Sequence, residues 1–227
     1  DDKLPKIDPV ACFPKDAQRW VVRSRSESNS SARSNADEVN LRQATVYVDR
    51  SGSMVGYLNG ANNVERPLHD LVATLPGALK LAGIETSFRS FGKTVSEELP
   101  ANGDDLLTQG TFTCTGQSRA DCDNTESRLD VVLSEIKSKD DDLALVVTDL
   151  WFNNSQIQST GIAALQPVLT DLLFDDKVIA IYGIDAPFTG KIYDLPSGVS
   201  GTTTVPYTGR HPLYVVAVGS KQAVIDF

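Results

Sequence analysis

Apolar residues in this chain follow two alternating rhythms. Five stretches read as strands: Thr45 to Asp49, Glu85 to Phe91, Leu143 to Thr148, Val178 to Ile184 and Leu213 to Gly219. Several are near-continuous Val, Ile, Leu and Tyr runs, as expected of parallel strands covered on both faces. Between them lie helical periods. Val64, Leu68, Leu71, Val72, Leu75, Leu79 and Ala82 keep to one face, with Pro67 near the start and Pro76 predicting a kink. Leu129, Val132, Leu133 and Ile136 mark a second helix, and Ile162, Leu165, Val168, Leu169, Leu172 and Leu173 a third. This alternation predicts an α/β fold: a doubly wound, mostly parallel open sheet with helices on both faces, joined by right-handed crossovers.

Two regions break the rhythm. Residues 1–43 form an N-terminal extension that includes the Ser/Asn-rich stretch "SRSESNSSARSNADE", Ser24 to Glu38, which reads as a linker; Trp20 to Val22 form a short strand docked on the sheet edge. Within the second unit, residues 44–227, the segment 185–212 has Gly/Pro punctuation and β-branched residues but no helical period, so it reads as a β-hairpin-like insertion before the last strand. The final "GSKQAVIDF" resembles the opening of a further helix, which suggests truncation of a longer protein.

Composition narrows the function classes. Of 227 residues, 41% are hydrophobic and 22% charged, enough for one sizeable core, and no apolar run reaches the ~20 residues of a membrane-spanning helix. A net charge of −9 without a basic patch argues against nucleic acid and anionic membranes as partners and favours a cation or a basic surface. Cys114 and Cys122 bracket a short polar loop and form either a local disulfide or two reduced thiols, with Cys12 left over. The disulfide would place the chain in an extracytoplasmic compartment, periplasmic or secreted; a cytoplasmic location is the alternative.

The candidate chemistry lies in "VYVDRSGSM", residues 46 to 54, where a buried strand ends on Asp49 and then presents Ser51 and Ser53. In an open parallel sheet, ligands collect outside the carboxyl ends of the strands. Carboxylate and hydroxyl oxygens are hard ligands, suited to Mg²⁺, Mn²⁺ or Ca²⁺. Turn chemistry is the competing explanation, since Asp, Ser and Gly also close loops and cap helices.

The D-x-S-x-S triad of Asp49, Ser51 and Ser53, with Asp149 at a later strand end in "LALVVTDLWFN", resembles the metal-ion-dependent adhesion site of the von Willebrand factor A family. The family's Thr is matched by Thr125, just ahead of a helix, with Thr111, Thr113 and Thr115 as competitors. The resemblance implies a Rossmann-like fold over residues 44–227, from which 185–212 departs. It further implies an Mg²⁺ held directly by Ser51, Ser53 and Thr125, with Asp49 and Asp149 acting largely through water. A partner protein's Asp or Glu carboxylate would take the remaining position. Neutral hydroxyls leave the cation electrophilic toward that carboxylate.

Two other functions compete with this interaction module. A metal-assisted hydrolase or phosphatase would use Asp49 as nucleophile. It normally wants a second acid two residues on, where Ser51 stands, and G-x-S-x-G is absent. A purely structural family member without a functional metal is the third reading. As loop ligands, Asp49 and Ser51 are expected to lie outside the core, so that their replacement by Ala leaves the fold intact. Asp121 and Asp123 are candidates for the rim of the site.

Overall fold

Residues 44 to 49 are buried without a break, as a strand must be when helices cover both its faces. They belong to β2, Gln43–Asp49, in the computed structural model of the chain, which describes residues 17–22, 43–58, 65–99, 104–107, 112, 123–139, 141–151, 161–197 and 201–227. The other strands are β1 Ala17–Val22, β3 Glu85–Phe91, β4 Leu143–Thr148, β5 Val178–Ser197 and β6 Gly201–Gly219. The helices are α1 Pro67–Leu81, α2 Leu129–Ser138, α3 Gln166–Phe174 and α4 Lys221–Asp226.

The fold is α/β with an open mixed sheet. Five strands, β2 to β6, make up its body, and β1 adds an antiparallel edge along β5, giving the order β1-β5-β6-β4-β2-β3. Parallel pairing is confined to β2 with β3 and β2 with β4; β4 with β6, and β6 with β5, are antiparallel. The mostly parallel sheet expected from the apolar runs is thus corrected at its β5–β6 side. The reason is connectivity. A parallel neighbour needs a long crossover, whereas β6 starts four residues after β5 ends and can return only as a hairpin.

Segment 185–212 is a β-hairpin, as its punctuation suggested, and it continues β5 and β6 beyond the sheet. The arms stay paired from Val178 with Gly219 out to Ser197 with Gly201, with one irregularity between Ile192 and Leu195. The short strand expected near Trp20 is the edge strand β1.

Side chains on the two faces of the sheet build two cores. Val46, Val48, Leu145 and Val147 pack with Leu68, Val72, Leu75 and Leu79 of α1 and Ala223 and Val224 of α4. Tyr47, Ala144 and Val146 pack on the opposite face with Leu129, Val132, Leu133 and Ile136 of α2 and Leu172 of α3. Pro67 begins α1, where its missing N–H costs nothing, and the helix continues through Pro76. Ser220 caps α4 by accepting from the Ala223 N–H. Among the described residues, no helix is long and apolar enough to cross a membrane.

Candidate functional site

Because β3 lies on one side of β2 and β4 on the other, the strand order reverses at the carboxyl end of β2, where an open sheet leaves a crevice. Asp49 ends that strand, and Asp149 directly follows β4. Both carboxyls are buried, Asp49 completely, and both are held by donors from neighbouring turns. Asp49 Oδ1 accepts from the Ser51 N–H at 2.8 Å. Its Oδ2 accepts from Ser127 Oγ at 2.6 Å and from Thr148 Oγ1 at 2.8 Å. Asp149 Oδ1 accepts from the Trp151 N–H at 3.0 Å. Leu150, between them, adopts a left-handed φ of 55°, a conformation that is strained for a branched side chain. It turns the backbone so that its own N–H reaches Thr148 Oγ1 at 3.1 Å.

Burial raises the pKa of both acids by disfavouring the charged form. Asp149, with the Asp49 charge close by as a second cause, is pushed up to about 7. Hydrogen bonds from Ser127 and the Ser51 N–H to Asp49, and from Ser53 to Asp149, work in the opposite direction. Ser51 Oγ and Ser53 Oγ lie 3.1 Å apart, a hydrogen bond in which either hydroxyl can be the donor. The donor set of hydroxyls and carboxylates fits a divalent cation. It contains two carboxylates, and no group of three or more His, Cys, Asp or Glu that could hold a metal occurs among the described residues.

The hairpin of β5 and β6 covers this turn. Phe188 is buried and stacks edge-on to Tyr57 at 4.9 Å between ring centres. Gly56 faces the Phe188 ring, and a Cβ at Gly190 would lie 2.8 Å from Gly56 Cα, so the two backbones touch where only glycine fits. Tyr57 donates to the Pro212 carbonyl at 2.7 Å; its proton being used, it accepts from His211 Nδ1 at 2.5 Å, which fixes the imidazole tautomer. Burial holds the His211 pKa down. A cleft of about 10 Å³ remains, lined by Ser53, Asp149, Trp151, Lys191, Tyr193 and His211 among others. That is room for about one water.

Of the residues singled out in the sequence, Asp49, Ser51, Ser53 and Asp149 come together. Thr125 ends a 3-10 turn, Asp123–Thr125, two residues before Ser127, which is the member of that loop bonded to Asp49. Asn124 of the same turn is buried and donates to the Phe112 carbonyl, pinning the loop. Thr111, Thr113, Thr115, Cys12, Cys114, Cys122 and Asp121 lie outside the described residues. The expectation that Asp49 and Ser51 sit outside the core is overturned: they are 0% and 3% exposed. Ser127 and Thr148 were not legible as functional residues; the one signal was Thr148's place beside Asp149 at a strand end. No protein-family model matches the chain, and comparison with curated proteins gives no match.

Proposed function

We propose that this chain is a divalent-cation-dependent protein-interaction module of the von Willebrand factor A kind. Ser51 and Ser53 hold an Mg²⁺ or Mn²⁺, Asp49 and Asp149 supply its counter-charge, and Thr125 comes from the third turn. When bound, the ion supplies a Lewis-acidic attachment point for an Asp or Glu carboxylate of a partner protein. The observation that carries the reading is the convergence of the buried Ser51 and Ser53 hydroxyls with two buried carboxyls, Asp49 and Asp149, at the strand-order reversal.

The chain's own residues set the conditions for binding. Ser127 and Thr148 orient Asp49, and the Ser51 N–H fixes its other oxygen. The same burial argues against Asp49 as the nucleophile of a hydrolase. Its carboxylate is 0% exposed and accepts from three groups, bonds that attack on a phosphate ester would first have to break. Calorimetric titration with Mg²⁺ and Mn²⁺ tests the reading: saturable heat that Ser51→Ala removes supports it, and no heat from the unmutated protein overturns it. Capture of a partner with Mg²⁺ but not with EDTA tests the interaction role. Turnover of a generic phosphate ester, abolished by Asp49→Asn, would favour the hydrolase instead.

A further inference from the structure

The cleft is lined by groups of two chemical kinds. Ser53, from the 3-10 turn Gly52–Tyr57, and Asp149, after β4, line it with oxygen-bearing side chains; the lining also includes Lys191, Tyr193 and Trp151, whose polar groups can donate. Trp151 Nε1 is buried and has no hydrogen-bond partner among the described residues. An indole nitrogen can only donate, and a buried donor left unmade is costly. Tyr193 Oη sits over Gly52, 3.5 Å from where a Cβ would stand, on the turn between the two serines. The cleft, about 10 Å³, holds one oxygen-sized group rather than a tetrahedral oxyanion. Its hairpin wall is fixed, since Phe188, Gly190 and Gly56 interlock at its base.

We propose that Trp151, Lys191 and Tyr193 form the ligand-reading half of the site, binding the oxygen of a partner carboxylate that does not face the ion. This rests on the cation reading above. A carboxylate fits because it brings two planar oxygens and one charge: one oxygen for the ion, the other for an N–H and an ammonium in charge-assisted bonds. The hairpin, absent from the compact pattern of the resemblance, is thereby a specificity element and not a decoration.

The test uses the ¹⁵N-labelled chain at saturating Mg²⁺, saturation being set for each variant by calorimetry, with acetate as the probe at constant ionic strength. The chain has two tryptophans, so the Trp151 indole resonance is assigned by its loss in Trp151→Phe. Acetate should move that resonance saturably while acetamide does not, and Trp151→Phe and Lys191→Met should each weaken acetate at least fivefold. Failure of acetate to bind, a stationary indole resonance while acetate binds, or unchanged acetate affinity in both variants overturns the proposal and leaves the cation reading standing. Absence of Mg²⁺ heat in the unmutated protein overturns both.

Discussion

Asp149 lies buried beside Asp49, and both burial and that neighbouring charge favour its protonated form. Its carboxyl is raised from 3.8 to about 7 on folding, so between those values the folded chain keeps a proton that the unfolded chain has lost. Stability from this group is complete below about pH 4 and is lost as pH rises through about 7. In EDTA, urea unfolding should therefore give a higher midpoint at pH 5 than at pH 8, and Asp149→Asn should flatten the difference. A midpoint that rises from pH 5 to pH 8, unchanged by the substitution, would contradict this. A cation competes with the same proton, because ligands bind metal deprotonated. Mg²⁺ binding at pH 6 should release on the order of one proton, measured as a buffer-dependent heat that disappears in Asp149→Asn.

Asp49 makes the complementary case. Asn at this position keeps the shape and one acceptor, so in EDTA Asp49→Asn should unfold close to the unmutated protein yet gain nothing from Mg²⁺. Asp49→Ala leaves the Ser127 and Thr148 hydroxyls without their acceptor and should cost about 1–3 kcal/mol even without metal. Equal stability of the Ala and Asn variants would mean that the hydrogen-bond network carries little of the fold.

At the scale of elements, the hairpin's seat on the 3-10 turn Gly52–Tyr57 holds the serines in place. A Cβ at Gly190 would meet Gly56 backbone, which cannot give way as a flexible side chain can. Gly190→Ala should thus cost about 1–3 kcal/mol in urea unfolding and lower Mg²⁺ affinity as well. Stability loss with full Mg²⁺ affinity would show that the seat and the site are independent. The helices here were legible because a buried stripe repeats: Leu68, Val72, Leu75 and Leu79 of α1 all lie against the sheet. The far arms of β5 and β6 were legible as hairpin-like from their β-branched residues, but not as continuations of the sheet strands, because Pro187, Gly190, Pro206 and Gly209 punctuate them like a loop. They are stabilised by pairing with each other across the hairpin, whose register no local pattern records.

For the whole molecule, the order of strands brings Asp49 and Asp149 together, although the sequence separates them by 100 positions. Their strand-end positions were legible because an acid directly after a buried Val/Thr run stands out. Ser127 and Thr148 gave no such signal, since a serine before a helix and a threonine in a strand are ordinary in those places. Ser127 reaches Asp49 from the loop that Asn124 pins, and Thr148 from the end of β4 beside β2, contacts made in three dimensions. The apolar runs at β5 and β6 suggested parallel neighbours because burial on both faces looks alike in either direction. The chain length between the strands decides, and it is too short for a crossover.

Crystals equilibrated with Mn²⁺, read by anomalous scattering, test most directly whether the two serines and two acids form a cation site. The account predicts one anomalous peak beside Ser51 Oγ and Ser53 Oγ, next to the Asp149 carboxyl, absent in Ser51→Ala. A map with no peak there, the two hydroxyls remaining in contact at full Mn²⁺, would contradict it.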